Sequence, residues 1–206
     1  MITNGYATAD QLAAISGINT AQDGIIVDLA INAASRMIDG YCGWRFWQDA
    51  TAVARLFDVT SRYSLVVTDD GDGISTTTGL IVKLDLDADG AFETTLTSGT
   101  DYNLLPYNAQ AQTPLWPYTE IVLTQTFAYP RSYNQRPGVQ VTAKWGWPAV
   151  PDDITSACVL LARDLYKEMK SAPFGVAEFG VDGPLRIGRN RTAEMYLANY
   201  RKPAVG

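Results

Sequence analysis

Acidic residues recur at the spacing of a calcium-binding loop in the segment LDLDADGAFETTL. Asp85, Asp87, Asp89 and Gly90 reproduce the opening D-x-D-x-D-G of such a loop, and Glu93 stands at its ninth place. The twelfth place, where a bidentate glutamate belongs, holds a leucine. The flanking residues alternate as strands do, so a hairpin that turns at Asp89 and Gly90 explains the same residues without an ion. We prefer the turn, and Asp85, Asp87 and Asp89 are the candidate metal ligands if the alternative holds.

Other residue patterns argue against catalysis. The chain has no histidine, which removes the commonest general base and the usual zinc and non-haem iron ligand sets. It has no Ser-x-x-Lys motif and no phosphate-binding or dinucleotide-binding glycine pattern. Folding could pair some of the seventeen aspartates and five glutamates, so a carboxylate-dependent hydrolase is an alternative. We predict a protein that is not an enzyme and that uses no cofactor.

Charge is distributed unevenly along the chain. Nine acidic and two basic residues lie from Phe57 to Asp101, whereas five basic residues and one acidic residue lie from Leu185 to the end. Solvated hairpins and a frayed basic terminus explain this pattern, and are preferred on charge alone. The alternative is that the acidic middle and the basic tail serve different neighbours.

Aromatic residues could also bind a ligand by stacking. Trp116, Tyr118, Tyr129 and Tyr133 lie in a proline-rich stretch with only two arginines, so core or interface packing is the preferred interpretation. With the acidic segment, they leave a calcium- or carbohydrate-binding β module of a surface protein as the alternative function.

Cys42 and Cys158 each fall within an apolar helical pattern, which is typical of a small buried thiol. No apolar run approaches the ~20 residues of a membrane span, and the N-terminus resembles no export signal. We therefore expect reduced cysteines, no membrane association and synthesis in a cytoplasm.

Helical spacing marks both ends of the chain. The segment ATADQLAAISGI predicts a short helix that Gly17 ends, with Leu12, Ala13 and Ile15 for packing. A second helix is expected from Thr20 to Tyr41, ended by Gly40 and Gly43. Its predicted apolar face consists of Ile26, Leu29, Ala30, Ala33, Met37 and Tyr41.

A third helix is predicted near 151–170, after a Gly-Trp-Pro corner. Asp152 and Asp153 place negative charge at its positive end. Its apolar face is predicted to consist of Ile154, Ala157, Cys158, Leu161, Leu165 and Met169. A short final helix is expected from Thr192 to Tyr200.

Between the helices the period changes to two. Seven short runs, LFDV, SLVV, GLIVKLDL, FETTL, DYNLL, EIVLTQTF and GVQVTAKW, are typical of antiparallel strands, and DDGDG at 69–73 is interpreted as a turn. The predicted fold class is therefore α+β, a small helical frame with an inserted antiparallel β domain. The expected divisions are 1–48 with 148–206 for the frame, and 49–147 for the insert.

Three segments resemble the head-tail connector, or adaptor, proteins of long-tailed bacteriophages. They are AASRMIDGYCGWRFW at 33–47, VTAKWGWPAVPDDITSACVLLARDLY at 141–166 and APFGVAEFGVDGPLRIGR at 172–189. The resemblance implies a virion protein at the head-tail junction, made in the bacterial host cytoplasm. It implies a ring, usually of twelve copies, that binds the portal protein, docks a stopper or tail protein below, and lets double-stranded DNA pass without sequence-specific binding.

The resemblance also nominates site residues. In related adaptors the C-terminal segment commonly reaches the portal, which here implies Arg186, Arg189, Arg191, Tyr196, Tyr200, Arg201 and Lys202. Packing between subunits of the ring is expected to involve Arg36, Trp44, Phe46, Trp147, Phe174 and Phe179. A basic, aromatic-bearing tail can supply charge complementarity and anchoring contacts to another protein.

Overall fold

The computed structural model describes residues 1–58, 61–68, 72–111, 113–124, 137–171 and 190–202. Its elements form an α+β fold and divide into two compact units. Unit 1 joins residues 1–44 to residues 150–206, and unit 2 is the continuous stretch 45–149. Within the described residues, no helix combines the length and the apolar character that a bilayer crossing requires.

Unit 1 begins with two helices, each of which ends at a glycine expected from the sequence. Helix α1, Ala9–Ser16, starts at a capping box in which Thr8 and Gln11 bond each other's backbone, and Gly17 ends it with φ +61°. Helix α2, Thr20–Cys42, is capped by Asn19 and ends at Gly43 with φ +72°. Gly40 lies inside α2, so the prediction that it helps to end the helix is wrong.

The buried face of α2 differs from the predicted one. It consists of Val27, Ala30, Ile31, Ala34, Ser35, Ile38 and Cys42. Leu29 is 54% exposed, so its assignment to the packed face is wrong. The physical reason is that apolar residues surround most of this helix, and periodicity alone cannot decide which of two adjacent stripes meets the rest of the fold.

Helix α3, Asp152–Ser171, follows Pro151 and packs on α2. Its first turns bury Ile154, Ala157, Cys158 and Leu161, as the spacing indicates, together with Ala162. Met169 is exposed, so its assignment to the packed face is wrong. The end of α3 contacts α2 through a polar bond instead, since the Tyr166 hydroxyl donates to Asp23 at 2.6 Å.

The two cysteines lie in this helical packing. Both Cys42 and Cys158 are free, buried thiols, and burial raises their pKa to about 12 and about 11 respectively. Such thiols stay protonated and behave as small apolar side chains.

The described part of unit 2 contains seven strands in two antiparallel sheets, and each strand overlaps one of the seven predicted runs. They are β1 Val53–Phe57, β2 Ser64–Val66, β3 Ile81–Leu84, β4 Thr94–Leu96, β5 Tyr102–Leu105, β6 Glu120–Leu123 and β7 Val139–Ala143. One sheet has the order β1-β7-β3-β4, and the other has the order β2-β6-β5. Buried side chains from both sheets, such as Val82, Ile121 and Val141, form one core.

The Gly-Trp-Pro corner ends β7 through a close backbone approach. Gly146 has φ +104°, and a Cβ built on it would lie 1.9 Å from the Trp47 carbonyl oxygen. Its amide donates to the Gly73 carbonyl at 2.9 Å, and the Asp49 amide donates to the Trp145 carbonyl at 2.9 Å. Only glycine fits this position, because both the conformation and the space exclude a side chain.

A buried ion cluster lies beside this corner. The Asp72 carboxylate is almost fully buried and accepts from Arg45 Nε at 2.7 Å and from Arg55 Nη2 at 2.6 Å. Arg45 also bonds Asp49 at 2.8 Å. These two partners of Asp72 lie more than ten residues away in the chain. Residues 69–71 of the segment interpreted as a turn lie outside the described residues, so the turn stays a prediction.

Candidate interaction surface

The C-terminal segment 190–202 is a packed part of unit 1. Helix α4, Arg191–Leu197, is capped by Asn190, whose side chain accepts from the Ala193 amide at 3.1 Å. Ala193 and Leu197 are fully buried, and a 3₁₀ turn, Ala198–Tyr200, follows. The buried positions recur at helical spacing, so one face of this segment packs and the other remains exposed.

Tyr200 holds the end of the segment on α3. The ring is buried, and its hydroxyl donates to Asp153 Oδ2 at 3.2 Å. Burial, together with the Asp153 carboxylate, raises the pKa of Tyr200 to about 12, so the hydroxyl stays a donor.

Two cations then hold the chain at the C-terminal end of α2. The Arg201 guanidinium lies 5.5 Å from the centroid of the Tyr41 ring, and Lys202 Nζ lies 4.4 Å from the Trp44 ring. The Lys202 amide donates to the Cys42 carbonyl at 2.8 Å. Cation–π contact and the negative end of the helix dipole both favour positive charge here.

The structure thus divides the predicted portal-binding residues into two groups. Tyr200, Arg201 and Lys202 make contacts within unit 1, whereas Arg191 and Tyr196 are exposed on α4, Tyr196 to 38%. Arg186 and Arg189 lie outside the described residues.

A groove lies beside Tyr196 and was not expected from the sequence. It has a volume of about 410 Å³, and its apolar lining comes from Ile15, Val159, Leu160 and Tyr196. Ile15 is 52% exposed, so the prediction that it packs inside the chain is wrong. Val159 and Leu160, two apolar residues of α3 outside its predicted apolar face, were a sequence signal for this groove.

A second exposed apolar strip lies on α2. Ile25 and Leu29 are one helical turn apart and are 79% and 54% exposed. Adjoining exposed apolar side chains make this strip a candidate contact surface.

The residues predicted to pack between subunits have different environments. Phe46 and Trp147 are fully buried in unit 2 with ring centroids 4.8 Å apart, and Trp44 is buried beside Lys202. Arg36 bonds Asp39 at 2.8 Å and the Asn4 carbonyl at 3.0 Å, while half of its side chain stays exposed. Phe174 and Phe179 lie outside the described residues. Contact between copies stays a prediction for this set.

The three candidate metal ligands do come together. β3 and β4 pair antiparallel, with Leu84 opposite Thr94, so the acidic segment is the expected hairpin connection. One carboxylate oxygen from each of Asp85, Asp87 and Asp89 lies within 4.8 Å of the others. Asp85 is buried, whereas Asp87 and Asp89 are exposed.

No protein-family model matches this chain, and no curated protein is significantly similar to it. Its fold is nevertheless similar, along its whole length, to chains of solved gene transfer agent (GTA) particles. A chain of the neck of the empty GTA particle, computed with C6 symmetry, has a TM-score of 0.57 at 14% identity, covering 100% of this chain and 94% of that chain.

Two further GTA structures contain chains with a similar fold. A chain of the neck of the native GTA particle, computed with C12 symmetry, has a TM-score of 0.52 at 16% identity, covering 100% of this chain and 98% of that one. A chain of the native GTA virion has a TM-score of 0.52 at 17% identity, and the similarity covers 100% of this chain and 94% of that chain. At 14% to 17% sequence identity, these comparisons show a similar fold and do not by themselves show a shared function.

Proposed function

We propose that this chain is a structural protein of a phage-like head-tail junction, where it acts as a ring-forming adaptor. One observation carries the proposal: its fold matches, end to end, chains of particle necks computed with C6 and C12 symmetry. A likeness that covers both chains almost completely includes the helices and the β unit together, so it is more specific than a shared helical pair.

The apolar strip of α2 is our proposed contact between neighbouring copies. Ile25 and Leu29 are too exposed to stabilise the single chain, and a repeated contact of this kind closes into a ring when the rotation between copies is suitable. The C12 symmetry of one neck structure supports twelve copies.

The exposed face of α4 is our proposed contact with the portal protein. Arg191 and Tyr196 present a cation and an aromatic ring, the residue types that anchor protein interfaces. Tyr200, Arg201 and Lys202 hold α4 in position through their contacts on α2 and α3. In this assignment they are positioning residues.

The ring would extend the DNA channel and dock a stopper or tail protein on its lower face. The acidic excess of the β unit suits such a channel, because carboxylates repel the phosphate backbone and so do not hold the duplex.

The proposal is tested with particles assembled in cells that supply the chain as wild type or as a variant. We expect wild-type chain in purified tailed particles at about twelve copies each, counted by quantitative mass spectrometry. Ile25→Asp should keep the chain folded and remove it from particles, because a charge replaces an apolar contact. Arg191→Glu with Tyr196→Ala should yield filled heads without tails.

Two exposed positions in unit 2 provide matched controls. Tyr107→Asp places the same charge at another exposed apolar residue, and Arg62→Glu reverses an exposed arginine. Both should assemble normally. Absence of the wild-type chain from tailed particles, or normal incorporation of Ile25→Asp, would overturn the proposal.

A further inference from the structure

Asp85 is a buried carboxylate that the hairpin does not satisfy. Its residue is 1% exposed, its Oδ2 accepts from the Gly90 amide at 2.9 Å, and its Oδ1 has no hydrogen-bond partner among the described residues. The ion pairs found in the described part of the chain do not include it. A cation would stabilise such a carboxylate, because burial penalises its charge and the Gly90 hydrogen bond offsets only part of that cost.

The neighbouring side chains can supply the rest of a cation site. Asp87 Oδ1 accepts from the Asp89 amide at 3.4 Å, and Asp89 Oδ1 accepts from the Ala91 amide at 2.7 Å. These hydrogen bonds hold the Asp87 and Asp89 carboxylates against the backbone of the loop between β3 and β4. The result is three like charges with ligand oxygens within 4.8 Å of one another. Like charges this close repel unless a counter-ion lies between them.

We infer that the β3–β4 loop binds one Ca²⁺ ion through Asp85, Asp87 and Asp89. Three oxygens within 4.8 Å of one another lie close enough to share one cation. A flexible loop that offers three carboxylates favours Ca²⁺, because Mg²⁺ dehydrates reluctantly and usually binds through only one or two carboxylates. A turn alone explains Gly90 and the exposed aspartates, but it leaves the buried Asp85 Oδ1 without a partner among the described residues.

The affinity should be modest. Three carboxylates supply only part of the six to eight oxygens that Ca²⁺ takes, and the leucine at the twelfth place contributes none, so water and loop carbonyls must complete the shell. We expect a Kd of roughly 10⁻⁵ to 10⁻³ M. The inference is independent of the proposed adaptor role, since it concerns a single chain.

The test is calorimetric titration of the full, chelator-treated chain with CaCl₂ in about 150 mM NaCl, which screens diffuse attraction. Wild type should bind one ion per chain, and Asp87→Asn and Asp85→Asn should weaken binding by at least about tenfold. Mg²⁺ should bind at least about tenfold more weakly. Asp87 is exposed, so its substitution tests the site even if the buried Asp85→Asn variant fails to fold.

Asp10→Asn is the matched control, because it removes one exposed carboxylate from α1 and should leave calcium binding unchanged. The wild-type melting temperature should rise with CaCl₂, and that of Asp87→Asn should not. The inference is overturned by the absence of saturable binding below about 5 mM CaCl₂. It is also overturned if Asp87→Asn binds like wild type or if Mg²⁺ binds equally well.

Discussion

At the scale of single residues, the glycines of this chain differ in what their neighbours allow. Gly146 has a positive φ and faces the Trp47 carbonyl, whereas Gly24 lies in α2 with no atom near the position of a Cβ. Gly146 therefore stabilises the fold, because the close backbone approach requires a residue without a side chain. Gly24 destabilises it slightly, because glycine is a poor helix former.

We predict that Gly146→Ala lowers the free energy of unfolding by about 3 kcal/mol or more, because the new methyl group must displace backbone. Urea titration followed by tryptophan fluorescence measures this change.

Gly24→Ala is the control, and it should raise stability by about 0.5–1 kcal/mol. Equal stability of Gly146→Ala and wild type would contradict the corner geometry.

At the scale of elements, α4 shows why a basic C-terminal segment is not always a loose tail. Leu197 is fully buried in unit 1, and Met195, two residues earlier, is 71% exposed. Truncating the segment would therefore remove part of the core as well as the exposed face, and point substitutions separate the two effects.

We predict that Leu197→Ala lowers the free energy of unfolding by about 2–5 kcal/mol, whereas Met195→Ala changes it by no more than about 0.5 kcal/mol. Thermal and urea unfolding of the two variants provide the comparison. A small effect of Leu197→Ala would mean that α4 does not pack on the helices in solution.

At the scale of the whole molecule, unit 2 contains its own core and its own ion cluster. The compact unit starts at Arg45 and ends at Ala149, four residues earlier and two residues later than the 49–147 division expected from the sequence. The extra residues are structural: Arg45 pairs with Asp72, and the Phe46 ring packs on Trp147.

We predict that a fragment of residues 45–149 folds alone, with cooperative thermal unfolding and dispersed amide resonances. The fragment 49–147 should be unfolded or much less stable, because it leaves Asp72 with one ion pair fewer and exposes the Trp147 ring. Similar stability of the two fragments would show that the compact unit does not depend on Arg45 and Phe46.

Local sequence patterns predicted the type and approximate position of the described elements. Gly17 and Gly43 end helices through a left-handed conformation, which depends only on neighbouring residues. The alternation of the β segments likewise identified the seven strands and the α+β class, because one face of each strand must be buried.

The tertiary structure alone decided which apolar surfaces are buried and which acidic residues are paired. Helical periodicity placed both Ala30 and Leu29 on the packed face of α2, because both are apolar. Only the packing of α2 on α3 decides that Ala30 is buried and Leu29 is exposed. Nor could spacing show that Asp72 meets two arginines while Asp85 keeps one oxygen without a hydrogen-bond partner among the described residues. Charge pairing depends on residues far apart in the chain, so it exists only once the strands have brought them together.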